Sequence, residues 1–274
     1  MSSGLRTRVV TALVLAPTVV LAILFLPPWG FALLVSVMML AAFWEWSRLS
    51  GVPGRPLRAL LTALLGLGFY GLWIQPHAQL LWPALLALAF WALALLWLLA
   101  PQFAAADTPA HRLLKTAAGV ILLAGAWAGA VYIRDGLDGG PTWLIVCLAV
   151  IYGGDSLAYF AGSRIGGPKM APRISPGKTW AGLAGAVFGV APLALALGWA
   201  KGLGGSTLAL WMLLAMGCLL LSVLGDLVES IMKRHRKVKD SGRLFPGHGG
   251  VLDRGDSLFA ALPAFALGLA WLAT

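Results

Sequence analysis

Nine apolar segments, each long enough to cross a bilayer as a helix, constrain this chain more than any other feature of its sequence. They lie near residues 9–27, 30–47, 57–75, 80–100, 113–133, 142–162, 179–200, 206–230 and 251–273. One crossing takes roughly 20 apolar residues, and a helix satisfies every backbone polar group within the hydrocarbon. Because 60% of the 274 residues are hydrophobic and only 11% are charged, little chain remains for a domain in water. The sequence therefore predicts an all-α, polytopic membrane helix bundle with about nine transmembrane helices.

Lysine and arginine predict the orientation of these helices, because they accumulate in cytoplasmic loops. Seventeen of the twenty basic residues lie at the N-terminus or in every second loop, above all in loops 161–178 and 231–250. The other three are Arg134, Lys201 and Arg254. We therefore expect the N-terminus and both loops in the cytoplasm and the C-terminus outside, as in a bacterial inner-membrane protein. The net charge of +10 is expected to meet anionic lipid headgroups rather than nucleic acid.

Intramembrane charge divides the chain into two parts, 1–133 and 134–274. The helices of the first part contain almost no polar residues beyond Ser and Thr, which is typical of a scaffold. In the second part, five acidic residues lie within or at the edge of apolar segments: Asp155, Asp226, Glu229, Asp253 and Asp256. A carboxylate at mid-bilayer costs roughly 2.5–3.5 kcal/mol, so such residues usually face a polar cavity and mark function.

The spacing of these acidic residues indicates a cation site. Asp226 with Glu229, and Asp253 with Asp256, are each three residues apart, so each pair projects from one face of its helix. In the predicted topology all of them fall in the cytoplasmic half of the membrane. Hard oxygen ligands beside many lysines and arginines suit Mg²⁺ bridging phosphates better than zinc or iron. The alternative is structural: the last pair complements a helix N-terminus, and the first pair binds the cations one turn further on.

The loop before the last helix, KRHRKVKDSGRLFPGHGGVLDRGDS, places cations ahead of glycines. The backbone N–H groups of Gly247, Gly249 and Gly250 can approach a phosphate closely, and the helix N-terminus adds its positive end. His248 fits a proton carrier, a phosphate donor or a turn residue. A plain headgroup-binding face is the alternative, but the carboxylates on both sides favour phosphate binding.

A second polar motif, SPGKTW, begins the seventh apolar segment and contains Ser175 and Lys178. It lacks the GxxxxGK[ST] spacing of a Walker loop, although its lysine and the following helix N-terminus suit a phosphate. A helix cap with a positive-inside lysine is an equal alternative. Further on, Gly185 and Gly189 form a GxxxG motif, which indicates close helix packing within the chain or across a homodimer.

At these residues the chain resembles a known family, the integral-membrane phosphatidate cytidylyltransferases, also called CDP-diacylglycerol synthases. The C-terminal signature of that family stands here as Ser230, Lys233-Arg234, Lys239-Asp240, His248-Gly249-Gly250 and Asp253-Arg254-Gly255-Asp256. The segments GDSLAY, ISPGKTW and GDLVES also look like the family's and extend the resemblance over roughly 143–270. The chain departs from the family pattern at Gly177, Ala181 and Gly255.

The resemblance implies that CTP and phosphatidate react to give CDP-diacylglycerol and pyrophosphate at the cytoplasmic face of the membrane. It implies Mg²⁺, with Mn²⁺ as a substitute, held by Asp226, Asp253 and Asp256 with Asp155 as an auxiliary ligand. The residues expected to hold phosphates and the leaving pyrophosphate are Lys178, Lys233, Arg234, Lys239, His248 and Arg254. Nucleotide-binding roles are expected for Ser175, Gly247, Gly249 and Gly250.

Two other functions stay open on the sequence. A lipid kinase that uses CTP would share the metal and the nucleotide, and its product distinguishes it. An ion-coupled secondary transporter would also carry intramembrane acids, but such transporters commonly show two related halves and charges at the midplane. The expected partners are CTP, phosphatidate, membrane lipids and a second copy of the chain.

Overall fold

The computed structural model describes residues 3–244 and 249–273, with side chains from residue 13 onwards. Within these ranges the helices are α1 Ser3–Phe25, α2 Pro28–Ser50, α3 Arg55–Trp73, α4 Leu81–Leu99, α5 Pro109–Asp135, α6 Gly140–Ile165, α7 Trp180–Ala200, α8 Gly205–His235 and α9 Leu252–Leu272. Each predicted apolar segment matches one of them. In the described part of the chain, α2 to α9 are long and apolar enough to cross a membrane, and Leu13–Phe25 of α1 is a shorter apolar helix. The predicted polytopic helical bundle is confirmed, and its orientation stays a prediction.

One β-hairpin departs from the purely helical prediction and occupies the predicted loop 161–178. Strands β1 Lys169–Ala171 and β2 Ser175–Thr179 pair in antiparallel fashion. Gly166 and Gly167 precede the hairpin with φ of 68° and 90°, a backbone region that glycine adopts without a steric cost. Strand β2 leads directly into α7, so the hairpin fixes the position of its side chains relative to the helix.

Helix α5 lies at the centre of the bundle, because small residues let its neighbours approach closely. In the most apolar stretch of α5, 72% of the residues are buried, against 11% in that of α3. Gly119, Gly125 and Gly129 face α2, α4 and α9 in turn. A Cβ atom at Gly129 would lie 2.8 Å from the carbonyl oxygen of Leu262, so the backbones of α5 and α9 are in direct contact. Close packing of this kind is the usual way in which membrane helices associate.

The GxxxG motif of α7 packs inside the chain. A Cβ atom at Gly189 would lie 2.7 Å from Leu157 of α6, and Gly185 faces Ala161 and the carbonyl oxygen of Leu157 on the same helix. The first of the two predicted roles of this motif therefore holds. The predicted homodimer loses this motif as support and stays a prediction.

Helices α8 and α9 approach closely at the level of the acidic residues. A Cβ atom at Gly225 would lie 2.9 Å from the Cβ of Ala260 and 3.2 Å from the carbonyl carbon of Asp256. Glycine at this point lets the two helices touch, and the carboxylates that follow on each helix come near each other as a result.

At the opposite end of the bundle, Arg134 is buried and ties α1 to α5. Its side chain donates to the carbonyl oxygen of Ile23, at 3.0 Å, and to that of Leu26. It also pairs with Asp135 and lies 4.9 Å from the ring centroid of Phe31. These carbonyl groups end α1, where a cation is favoured by the helix dipole.

Replacing this buried cation is expected to destabilise the bundle. Arg134→Gln leaves helix-end carbonyls and a buried carboxylate without their partner, and we expect the free energy of unfolding in detergent to fall by about 3 kcal/mol or more. Lys201→Gln is the matched control, because Lys201 contacts the hydroxyl of Thr142 and the ring of Trp143 in a more exposed setting. It is expected to cost less than about 1 kcal/mol. Equal losses in the two variants would contradict the role of Arg134.

Candidate active site

An ion pair between Lys178 and Asp226 forms the accessible part of the candidate site. The Nζ atom of Lys178, on β2, lies 2.7 Å from Oδ2 of Asp226, on α8, and 3.4 Å from the carbonyl oxygen of Val223. The hydroxyl of Ser230 donates to the other oxygen of Asp226, at 3.3 Å. The two side chains of the pair are 21% and 33% exposed, so they are not enclosed inside the helix bundle. The hairpin thus brings together two residues that the sequence separates by 48 positions.

Two further carboxylates surround this pair. Asp155, on α6, lies close to Ser257, on α9, and within electrostatic range of Lys178 and Asp226. Asp256 interacts electrostatically with Asp226 and accepts a hydrogen bond from the backbone N–H of Ser257, at 2.8 Å. Three predicted acidic residues therefore share one site with Lys178, and Arg254 and Lys233 act on them from nearby. Such a group of carboxylates can bind a cation.

A second, more buried cluster consists of Glu229, Lys233 and Asp253. The Nζ atom of Lys233 lies 2.5 Å from Glu229 and 2.9 Å from Asp253. The three side chains are only 2%, 12% and 6% exposed. Oxygen Oδ2 of Asp253 also accepts from the backbone N–H and the hydroxyl of Ser241 and from the backbone N–H of Gly250, each at 2.8 Å. Protein donors therefore engage both oxygens of Asp253.

The two clusters meet at Glu229 and Asp256, whose carboxyl groups interact. Oxygen Oε1 of Glu229 is buried and has no hydrogen-bond partner among the described residues. Both residues line a cavity of about 20 Å³, together with Trp46 and Trp91. This volume is enough for one water molecule, which would satisfy the free oxygen.

The donor set fits a magnesium ion that substrate phosphates complete. In the described ranges, no three His, Cys, Asp or Glu side chains converge as a ready metal site. Magnesium, however, usually takes one or two carboxylates, and its remaining ligands are waters and substrate phosphates. Asp226 and Asp256, with Asp155 nearby, can supply these carboxylates. Lys233, Ser241 and Gly250 engage the oxygens of Asp253 in this structure, and its predicted metal role stays a prediction.

The remaining predicted cations divide between the rim and the interior. Arg234, Lys239 and Arg254 are exposed, and Nε of Arg234 donates to the carbonyl oxygen of Ile174 in the hairpin, at 3.1 Å. Lys233 lies inside and pairs with the carboxylates of Glu229 and Asp253. The structural alternative, in which the first acidic pair binds a cation one turn further on the same helix, therefore holds for Glu229. The structure therefore leaves the exposed cations, rather than Lys233, in a position to meet a triphosphate.

The predicted nucleotide-binding residues have different settings. Ser175 begins β2 and is half-buried. Gly249 has φ of 83°, and a Cβ atom there would lie 2.6 Å from Asp253. The N–H of Gly250 donates to Asp253 in this structure, and its predicted phosphate contact stays a prediction. The predicted residues Gly247 and His248 lie outside the described residues.

Sequence reasoning missed the contribution of α2, which belongs to the part of the chain expected to be scaffold. Glu45 is buried and accepts hydrogen bonds from the backbone N–H groups of Val251, at 3.2 Å, and Leu252, at 2.9 Å. It also lies 3.0 Å from the hydroxyl of Ser241. A glutamate inside an apolar segment is the same signal that identified the other acidic residues, and it was available in the sequence.

A second contact ties the end of α8 to the N-terminal helices. Nε of Arg236 donates to the carbonyl oxygen of Leu49, at 3.0 Å, and the guanidinium group pairs with Asp107, at 3.2 Å. A hydrogen bond from Arg112 and a weaker contribution from Arg236 lower the pKa of Asp107 to about 2. Asp107 therefore stays charged at neutral pH, and the loop after α8 is held against α2 from its first residue.

Comparison with known proteins shows the family of the chain. A family model described as "Cytidylyltransferase family" matches residues 6–272. A phosphatidate cytidylyltransferase of Pseudomonas aeruginosa is 38% identical over 274 residues, which is 98% of each chain. Proteins of the same name from Haemophilus influenzae and Brucella abortus are 34% and 36% identical, covering 96% and 94% of this chain and 97% and 91% of theirs. The similarity extends over the N-terminal helices, beyond the region 143–270 where the sequence motifs lie.

Proposed function

Because the chain belongs to the cytidylyltransferase family, we propose that it transfers the cytidylyl group of CTP to phosphatidate, forming CDP-diacylglycerol and releasing pyrophosphate. The observation that carries this proposal is the accessible ion pair of Lys178 and Asp226, with Asp155 and Asp256 beside it. Such a site offers a cation for phosphate and carboxylates for a metal. It has the components that phosphoryl-group chemistry uses for positioning and charge neutralisation.

The position of the site along the helices suits one lipid and one soluble substrate. Helix α8 has 31 residues, a length of about 46 Å, which exceeds the bilayer core of about 30 Å. Asp226 lies nine residues before the end of α8, or about 14 Å from it, and Lys178 lies on a hairpin outside the membrane-spanning helices. A phosphatidate headgroup at the interface and a nucleotide from water can therefore meet at this pair.

The reaction needs alignment more than it needs a general base. A phosphate monoester has a second pKa of about 6, so phosphatidate already presents a nucleophilic oxygen at neutral pH. A bond forms between this oxygen and the α-phosphorus of CTP. The bond between the α-phosphorus and the oxygen that bridges it to the β-phosphorus breaks, and pyrophosphate leaves with that oxygen. Lys178 and the exposed cations Arg234, Lys239 and Arg254 neutralise charge on the triphosphate and the leaving pyrophosphate.

We include Mg²⁺ in the proposal, with Mn²⁺ as a substitute, held by Asp226 and Asp256 with Asp155 as an auxiliary ligand. When bound, the ion would neutralise charge on the phosphates and help to orient the triphosphate. Asp226 has a second role in this arrangement, since it holds the ammonium group of Lys178 in place. Asp253 contributes indirectly, because it binds Ser241 and Gly250 and so fixes the start of α9, on which Asp256 lies one turn later.

The experiment that tests the proposed function is product analysis with purified protein. Incubation with CTP, phosphatidate and Mg²⁺ is expected to give CDP-diacylglycerol and pyrophosphate in equal amounts. Release of CDP with formation of a phosphorylated lipid would contradict the proposal and indicate the lipid kinase. Chelation of the metal with EDTA is expected to stop turnover, and added Mn²⁺ is expected to restore it.

We further propose that the site faces the cytoplasm of a bacterial-type inner membrane, which the distribution of basic residues supports. Cysteine labelling in vesicles tests this orientation, because the native Cys147 and Cys218 are buried. Leu244→Cys is expected to react with an impermeant maleimide only from the cytoplasmic side. Ala273→Cys is expected to react only from the other side. Labelling of both from the same side would contradict the topology.

A further inference from the structure

A helix from the N-terminal half of the chain holds the segment that carries the family signature. Glu45 contacts Ser241, Val251 and Leu252. These residues lie 196, 206 and 207 positions further along the sequence. Arg48, one turn later on α2, donates to the carbonyl oxygen of Ser241. These two side chains therefore bind both described ends of the segment 241–252, namely Ser241 and the residues that enter α9.

In the part of the chain that the structure describes, the negative charge of Glu45 has no cationic partner. Within the described ranges no lysine, arginine or histidine forms an ion pair with this carboxylate, although Glu45 is only 8% exposed. Its acceptor oxygens meet instead the first backbone N–H groups of α9, which have no partner within the helix. The positive end of the α9 dipole favours a carboxylate here. A buried charge that is satisfied in this way depends on the segment keeping its conformation.

Glycine makes room for this carboxylate on both sides. A Cβ atom at Gly242 would lie 2.6 Å from Cδ of Glu45, and one at Gly250 would lie 2.5 Å from the same atom. The carboxylate is thus enclosed between the two described ends of the segment, in a space that any larger residue at either glycine would fill. Neither glycine has a positive φ, so close approach rather than backbone conformation calls for glycine.

A chain of polar contacts links Glu45 to the buried cluster. The hydroxyl of Ser241 lies 3.0 Å from Glu45 and 2.8 Å from Asp253. Asp253 in turn pairs with Lys233, which also binds Glu229. The helix turn that begins with Asp253 carries Asp256 to the Lys178–Asp226 pair. Movement of the segment would therefore move the ligands of the proposed metal.

From these contacts we propose that Glu45 is a positioning residue, which fixes the segment 241–252 so that Asp253 and Asp256 take their places in the active site. The inference rests on the proposed function for its consequence in catalysis. Its structural part, the immobilisation of the segment by Glu45, stands without it. Glu45 has no contact with the Lys178–Asp226 pair, so its effect passes through the segment.

Glu45→Gln tests the proposal by two readouts on the full-length protein in detergent. The side-chain amide keeps one acceptor oxygen but places an NH2 donor against one of the two backbone N–H groups, those of Val251 and Leu252, that need an acceptor. We expect hydrogen exchange of the amides in 241–252 to become at least tenfold faster, and exchange in the centre of α5 to stay unchanged. We expect kcat to fall at least tenfold, while the KM for phosphatidate changes less than twofold.

Phe43→Leu is the matched control. Phe43 is fully buried on the same helix but faces α3 and α5, so its shortening lowers stability without touching the segment. We expect a fall in Tm with no change in kcat or in exchange of the segment. If Glu45→Gln does not fold, Glu45→Asp replaces it, since the shorter side chain keeps the charge but withdraws the carboxylate from the N–H groups of Val251 and Leu252.

The outcomes separate this inference from the proposed function. If wild-type protein makes no CDP-diacylglycerol, the proposed function fails, and the exchange data still decide whether Glu45 holds the segment. If wild-type protein is active, unchanged exchange in Glu45→Gln overturns the inference, and so does faster exchange with unchanged kcat. A loss of kcat that Phe43→Leu reproduces at equal Tm also overturns it.

Discussion

Asp226→Asn is expected to lower kcat/KM for CTP about a thousandfold, a loss of about 4 kcal/mol of transition-state stabilisation. Asparagine keeps the shape of the side chain and removes its charge. The variant therefore loses a ligand for the proposed metal and the partner that holds the ammonium group of Lys178 at 2.7 Å. Both losses destabilise the transition state, in which negative charge develops on the leaving pyrophosphate. Steady-state kinetics with CTP at matched protein levels measures the effect.

Asp138→Asn is the control for this prediction, because Asp138 is an exposed acidic residue in the loop between α5 and α6. Its removal is expected to leave kcat/KM unchanged. In Asp226→Asn, an increase in the Mg²⁺ concentration required for half-maximal rate would accompany the loss if Asp226 is a ligand. A variant with normal rate and normal metal dependence would contradict the role of Asp226.

Lys178→Met is expected to lower kcat/KM for CTP by a hundredfold or more, about 2.7 kcal/mol. Methionine retains much of the length and apolar volume of lysine but lacks the charge on the phosphate and leaves Asp226 without its cation. Lys178→Arg is expected to lose about tenfold, because a planar guanidinium group does not replace a compact ammonium group in a space bounded by Asp226 and the carbonyl oxygen of Val223.

Lys239 provides the comparison for Lys178. It is exposed on the loop after α8, so Lys239→Arg is expected to cost less than Lys178→Arg. Insertion and abundance should be normal in all three variants, since neighbouring cations keep the loops basic. Unchanged kcat/KM in Lys178→Met would show that this lysine serves topology alone and would remove it from the site.

Hydrophobic length predicted the helices of this protein well, because a bilayer imposes one solution on a long apolar segment. The segment 142–162 corresponds to helix Gly140–Ile165, and 206–230 corresponds to Gly205–His235. The boundaries differ mainly where charged residues continue a helix beyond the bilayer. In α8, Lys233 and Arg234 extend the helix by a turn that hydropathy alone does not detect.

The hairpin at 169–179 could not be predicted in this way. Its strands have three and five residues, and polar residues with several glycines and prolines resemble an ordinary loop. The position of Lys178 against Asp226 depends on this hairpin, so the sequence could name both residues but could not pair them. The same holds for Asp253, whose donors come from Ser241 and Gly250 in a segment without periodicity.

Glu45 shows a different limit. The signal was present, since a carboxylate inside an apolar segment is costly. The motifs that resemble the family lie in 143–270, so they do not point to a carboxylate in α2. The sequence could not predict which groups bind Glu45, because the packing of helices around α5 brings α2 into contact with the N-terminus of α9. The family match over residues 6–272 is consistent with a site to which both halves contribute.

The measurement that tests the central claim most directly follows the phosphorus atoms of CTP. Wild-type protein and Asp226→Asn are incubated with phosphatidate and with CTP labelled either at the α-phosphate or at the γ-phosphate. The cytidylyltransferase account predicts that the α-label enters the lipid, that the γ-label leaves as pyrophosphate, and that Asp226→Asn abolishes both transfers. Entry of the γ-label into the lipid, or equal transfer by Asp226→Asn, would contradict it.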